Sequence, residues 1–308
     1  QAEKRMVSIG RTRHVTIAFH LTIISLFIAL KSLYSPHTSM STDRRRILGP
    51  GDAVRPLAAT PLKTEIPPKL GSSVRKFFVK TGLSKNANGL AYLEVGDTLV
   101  EVGVYGPRPI KGLFVNRASF SVETKFLPHV TQPNEVLYNG SLAQGNGRLQ
   151  LTNIEQKMST FVETAMLPAV VLEKYPKLAI DVVVTVLAFD ANTTSMSNLI
   201  AWVVNCTSLA MVDLGVEVRD LVTCGHVQTT AHGVETDALI AESDTDATEC
   251  VASFMHMQNN EMLAVYVQGA GPAGVSEALL AQLVQACQEM AAVVRRNLNG
   301  YLLEAAKQ

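Results

Sequence analysis

Leu90 to Val95 and Thr98 to Tyr105 alternate apolar and polar positions on either side of Gly96-Asp97. The alternation predicts a β-hairpin closed by a two-residue turn of the glycine-first type. In its second arm Thr98, Val100, Val102 and Val104 line one face, and Leu99, Glu101, Gly103 and Tyr105 line the other. Pro107 and Pro109 follow, and neither can donate to a ladder, so pairing is expected to stop there and leave Arg108 on a stiff corner. Gly112 to Phe126 alternates as a further strand, and residues 127–150 read as a loop. Thr152 and Glu155 have capping-box spacing and predict a helix to about Glu173, kinked at Pro168. Ile180 to Phe189 reads as a buried strand, and Ser195 to Leu214 as an apolar helix closed by Gly215. Strands are expected near Leu221–Ala231, Ala238–Glu242, Val251–Met257 and Met262–Gln268. A final helix from about Ser276 to Ala306 carries Leu279, Leu280, Leu283, Val284, Cys287 and Met290 at helical spacing and Arg295 and Arg296 on its outer face. This order predicts a single α/β (α+β) domain over residues 76–308, with mixed sheets packed against helices in two similar halves.

Composition adds limits. An apolar fraction of 47% in 308 residues supports a core. The formal net charge is zero, so no bulk field draws in a polyanion, and any nucleic-acid contact must use local patches. Cys206, Cys224, Cys250 and Cys287 are scattered among apolar residues without a CxxC, the pattern expected of buried, reduced thiols in an intracellular protein.

The beginning of the chain pulls the other way. Val15 to Leu30 is uncharged and apolar, and Lys4, Arg5, Arg11 and Arg13 precede it, the layout of a signal peptide or short anchor. The run is short for a span and contains His20. Met40 opens MSTDRRRILGP, which reads as a soluble N-terminus. Residues 1–39 are therefore expected to be non-native or upstream-translated sequence, with a signal or anchor as the alternative. Residues 40–75 read as an extended tail. Of the sequons at Asn139, Asn192 and Asn205, the last lies in the apolar helix, where a glycan would not fit.

Chemistry-bearing motifs are few. Gly269-Ala-Gly271-Pro-Ala-Gly274 follows a strand and opens a helix, but no second strand or ribose-binding acid comes after it, so a loop into the last helix is the better reading. Cys224, His226, His232, Cys250 and His256 lack zinc spacing, and half-buried histidines on strand edges are expected in place of a metal site. Glu235, Asp237, Glu242, Asp244, Asp246 and Glu249 could hold a cation or act as acids, though such runs are usually solvated. No P-loop, nucleophile elbow or HExxH occurs.

Four pieces, taken together, resemble the RNase PH family, and in particular the RNase PH-like ring subunits of the eukaryotic RNA exosome. They are Asn88-Gly-Leu-Ala-Tyr-Leu-Glu-Val-Gly-Asp-Thr, Val104-Tyr-Gly-Pro-Arg-Pro, Leu172-Glu-Lys-Tyr-Pro-Lys with Ile180-Asp-Val, and Ser208-Leu-Ala-Met-Val-Asp-Leu-Gly215. Asp43-Arg-Arg-Arg-Ile-Leu-Gly-Pro50 is similar to the opening of one such subunit. The resemblance implies a domain whose active members cleave RNA from the 3′ end with inorganic phosphate. They use arginines before and within the first helix, a Gly-Thr-Arg-Ser/Thr loop at the second, and two aspartates six apart. This chain departs at each place. No arginine lies between Arg148 and Arg219, the loop reads Asn192-Thr-Thr-Ser-Met-Ser-Asn198, and the first aspartate falls on Ala238, with Asp237 one residue out of register. Asp244 matches the second as a remnant. The expectation is a non-catalytic subunit without cofactor, one of six domains in three heterodimers, touching other ring subunits, cap subunits and single-stranded RNA. Membrane contact is not expected if residues 1–39 are not native. Arg108, Lys111 and Arg117 would face the pore, and Arg44, Arg45 and Arg46 would meet RNA or a neighbour. Nucleus, nucleolus and cytoplasm are the expected locations. An active phosphate-dependent exoribonuclease and an unrelated membrane-anchored protein are the alternatives.

Overall fold

The computed structural model describes residues 74–110, 116–130, 153–191, 193–230, 233–239, 248–255, 261–269 and 275–307. The apolar run 15–30, the tail 40–75 up to residue 73, Lys111, Asp244, most of the 269–274 loop, His232 and His256 lie outside them. So do Arg44, Arg45 and Arg46.

The first sheet is built on the hairpin. A short strand β1 (Phe78–Thr81) precedes its arms β2 (Gly89–Val95) and β3 (Thr98–Pro109). Leu93, Val95, Val100, Val102 and Val104 on the inner face have no exposed surface, as a period-two pattern covered on one side requires. β4 (Ser119–Phe126) and β5 (Leu178–Ala188) complete the order β1-β2-β3-β5-β4, with β4 and β5 parallel and the other pairs antiparallel. Contrary to expectation, β3 does not stop at the prolines. After a register shift it pairs again, Arg108 with Ala179 and Pro109 with Leu178. β2 ends opposite Val104, so the far end of β3 has one neighbour, and a missing N–H is tolerated there.

Helix α1 (Asn153–Met166) covers the β4 edge. Phe126 N–H donates to Glu155 Oε1 at 3.0 Å, and Thr124 N–H to Ser159 Oγ at 2.9 Å, so the edge strand finds side-chain acceptors in place of a further strand. α1 ends two residues before Pro168 rather than kinking there and running to Glu173; a separate 3-10 turn holds Leu172–Lys174. Proline disfavours helical geometry in the residue before it, which explains the early stop.

The central helix α2 (Met196–Leu214) has Ser195 as N-cap and Gly215 in the left-handed conformation as C-cap. It is long and apolar enough to cross a membrane, but 83% of that apolar window is buried inside the fold, between β2 and β3 on one side and the second sheet on the other. Its buried polar residues are partnered. Asn205 accepts from Cys224 N–H at 2.8 Å and donates to its carbonyl at 3.2 Å, and Ser208 accepts from Val222 N–H at 3.0 Å. Asn205 is fully buried, so its sequon is no glycan acceptor in this fold.

The second sheet is an antiparallel array, β7-β6-β8-β9, of β6 (Val222–Thr230), β7 (Gly233–Thr236), β8 (Glu249–Met255) and β9 (Glu261–Gln268). Ala238 and Leu239, where a further strand is expected to begin, follow β7 and lie in no strand, and residues 240–242 of that expected strand lie outside the described residues. Asp237 takes φ 51°, a left-handed conformation that ends the strand before Ala238. Helix α3 (Glu277–Ala305), capped by Ser276, lies on this sheet. Gly225 permits the close approach, because a Cβ there would stand 2.2 Å from the Cys287 carbonyl oxygen. Arg295, expected on the outer face, instead donates to the Leu221 carbonyl at 2.6 Å and pairs with Asp220, which ties α3 to the strand entry. Two sheets and three helices thus form a mixed α/β domain among the described residues.

Candidate functional site

Two places gather the residues that the sequence singles out. The first is the corner at the end of β3. Asn88 Oδ1 accepts from Gly106 N–H at 3.1 Å, so the residue before β2 fixes the entry to the corner. Gly106 has φ 130°, and a Cβ on it would meet the Ala179 carbonyl oxygen at 2.5 Å, so no other residue fits against β5. Beyond it, Ile110 N–H donates to the Lys177 carbonyl at 3.0 Å. Arg108 is 67% exposed at its side chain and is ion-paired with Asp181 on β5. Arg108 on β3 and Ser119 on β4 are both register partners of Ala179. Exposed Arg117, two residues before β4, therefore lies at the same end of the sheet as Arg108, as does exposed Lys177, which leads into β5. Arg108, Lys111 and Arg117 are expected from the sequence as one group, of which Lys111 lies outside the described residues. The fold brings Arg108 and Arg117 to one sheet end and adds Lys177 and Asp181, which are not among the residues expected from the sequence. No local signal marks these two; they join through strand order alone.

The second place is a buried polar centre at the start of α2. Arg75 holds Asp237 through three bonds: its N–H and Nε to Oδ2, each at 2.9 Å, and its Nη2 to Oδ1 at 2.8 Å. Arg75 Nη2 also reaches Asn198 Oδ1 at 2.9 Å. Asn198 Nδ2 lies 3.0 Å from Asp237 Oδ1 and 3.2 Å from His226 Nδ1, and Trp202 Nε1 donates to Asp237 Oδ1 at 3.3 Å. Ser195 Oγ is 3.4 Å from His226 Nε2, and Glu249 stands 4.0 Å from the same nitrogen. Burial pushes the Asp237 carboxyl up, but the Arg75 hydrogen bonds and charge, helped by Asn198, outweigh it and hold the group below the usual aspartate range.

A serine, a histidine and acids within reach of one another suggest nucleophilic catalysis, and the geometry argues against it. Ser195 Oγ already accepts from Asn198 N–H at 3.1 Å as the helix cap. His226 is fully buried on β6, an interior strand, not half-buried on a sheet edge as expected. Asp237 is fully buried and ion-paired, not solvated. Burial also pushes the Cys206 and Cys224 thiols up, away from thiolate reactivity. Among the described residues, no group of three or more His, Cys, Asp or Glu is placed to hold a metal ion. The centre does a structural job: it binds the segment before β1, α2, β6 and the end of β7 into one block.

The quoted sequence pieces meet in space. Leu90 N–H donates to Asp213 Oδ2 at 2.8 Å, and a Cβ on Gly89 would lie 2.5 Å from the Ala210 carbonyl oxygen, so the start of β2 is fitted to the end of α2.

Residues 73–217 match the model of the RNase PH (3′ exoribonuclease) family, domain 1. Exosome complex component mtr3 of Schizosaccharomyces pombe is 29% identical over 184 residues, 59% of this chain and 65% of that protein. Exosome complex component Rrp41 of Pyrococcus furiosus is 32% identical over 161 residues, 48% of this chain, and the match spans about half the length of that relative, 54%. The crystal structure of rice (Oryza sativa) Rrp46 superposes with a TM-score of 0.59 at 18% identity, covering 76% of this chain and 98% of that one, a likeness of fold. Pieces far apart in sequence lock together where β2 starts and β3 ends, inside the matched span, and residues 73–217 belong to the RNase PH family.

Proposed function

We propose that the chain is a non-catalytic ring subunit of an RNA exosome, of the mRNA transport regulator 3 type, that supports 3′-to-5′ RNA degradation and processing by holding the ring together and guiding single-stranded RNA. The observation that carries this reading is the absence of arginine between Arg148 and Arg219, a stretch that includes all of α1 and the loop opening α2. Phosphorolysis needs forked cations on the attacking phosphate and the scissile group, and lysine is a poor substitute. The engagement of Asp237 with Arg75, Asn198 and Trp202 supports the same reading, since that carboxylate is committed to structure.

The sheet-end cations give the chain its share of RNA contact. Arg108 and Arg117, with Lys111 beside them in sequence, would meet the phosphate backbone without choosing among bases. Arg44, Arg45 and Arg46 would contact RNA or a neighbouring subunit, and Asp244 is an active-site remnant. The partners are the other RNase PH-like ring subunits and the cap subunits; the locations are nucleus, nucleolus and cytoplasm. The test is phosphate-dependent release of nucleoside diphosphates from single-stranded RNA by the full chain, together with a tagged pull-down. No turnover and recovery of ring subunits are expected. Clear turnover would make the chain an active exoribonuclease, and failure to recover ring subunits would remove the assembly role.

A further inference from the structure

Asp181 sits at the middle of three strands, with Tyr105 on β3 and Ser121 on β4 as its register partners. Its two oxygens do different things. Oδ1 accepts from Ser121 Oγ at 2.5 Å. Oδ2 is shielded from solvent and faces Arg108 in an ion pair. The exposure of the two partners is unequal, 67% for the Arg108 side chain and 26% for Asp181, and Oδ2 itself is shielded, so a ligand arriving from solvent reaches the guanidinium before that oxygen.

We propose that Asp181 is a built-in competitor for phosphate at this corner, lowering its affinity for the RNA backbone by holding Arg108. The proposal rests on the RNA-contact reading of the corner. Its physical basis is twofold. The Arg108–Asp181 pair is neutral as a unit, so it attracts a polyanion less than the lone cation would. A phosphate that draws Arg108 away also leaves a shielded carboxylate oxygen without its cation, and a buried acceptor stripped of its partner is costly. Neutralising the carboxylate while keeping its shape removes both effects. Asp181→Asn retains an oxygen for the Ser121 hydroxyl and frees Arg108.

The experiment measures binding of a labelled single-stranded oligouridylate to the full chain over a range of salt concentrations. Asp181→Asn is expected to tighten binding at low salt by up to about fivefold, the scale set by an exposed ion pair. It is also expected to steepen the dependence of log affinity on log salt by about 0.7, one further phosphate contact on a single strand. The gain must shrink toward nothing in an Arg108→Ala background, and Glu123→Gln, which removes a carboxylate of the neighbouring strand β4, must not reproduce it. If the amide disturbs β5, Asp181→Ser serves the same cycle, since it also removes the charge. Unchanged or weaker binding by Asp181→Asn, while Arg108→Ala weakens binding, overturns the competitor and makes Asp181 a positioning residue for Arg108. If Arg108→Ala and Arg117→Ala also leave binding unchanged, the RNA-contact reading itself falls.

Discussion

Asp237 carries its charge into a site without solvent, and the paired Arg75, helped by Asn198 and Trp202, makes that tolerable. Because its carboxyl is held below the ordinary 3.8, the folded chain binds fewer protons there than the unfolded chain. Stability from this pair is therefore present in full above the unfolded pKa and is lost as pH falls through the folded one. Asp237→Asn is the informative change, because asparagine also accepts the left-handed backbone at φ 51° and so isolates the charge. It leaves Arg75, with 16% of its side chain exposed, without a counter-ion. Urea denaturation at neutral pH should show a loss of about 3–5 kcal/mol. The same variant should lose less stability than wild type on acidification below the aspartate range, because the group that titrates is gone. A variant as stable as wild type at neutral pH would remove the pair from the account of the fold.

At the scale of elements, α2 joins the two sheets, and its first turn depends on the Ser195 cap. Ser195→Ala should cost about 1 kcal/mol, read from the denaturation midpoint. At the other side of the second sheet, Gly225→Ala places a methyl against the Cys287 carbonyl, and α3 has to move off β6. A loss of about 1–3 kcal/mol is expected, with faster amide hydrogen exchange along α3 than elsewhere. The hairpin, α2 and α3 were legible in the sequence because period and caps agreed over long runs. β7 and the far end of β3 were not, since Asp237 ends the one through its own backbone and β5 extends the other from outside. The candidate sites divide the same way. Arg108 and Arg117 are visible as cations beside a predicted strand. Arg75 and Asp237 are 162 residues apart, and Asp181 reaches Arg108 only because β5 returns beside β3. A reading along the chain takes a carboxylate in a polar run as solvated and cannot see the partner that buries it.

For the molecule as a whole, zero net charge means that any affinity for RNA comes from where the cations are, not from how many there are. Arg108 and Arg117 stand at one end of the first sheet, beside strands that share Ala179 as a register partner. If both contact the backbone, Arg117→Ala should lower the slope of log affinity against log salt by about 0.7, and Arg108→Ala should lower it by less while Asp181 holds the guanidinium. Arg108 should give the smaller loss in affinity at low salt, because the cation that alanine removes there is already paired with Asp181. A surface cation that no RNA touches would weaken binding slightly through the long-range field and leave the slope unchanged. Equal and full effects at both positions would mean that the Arg108–Asp181 pair is absent in solution. The measurement is a salt titration of oligouridylate binding by the full chain, with melting curves confirming that each variant is folded, and it separates three cases: two contacts, one contact with a competitor, and no contact at all.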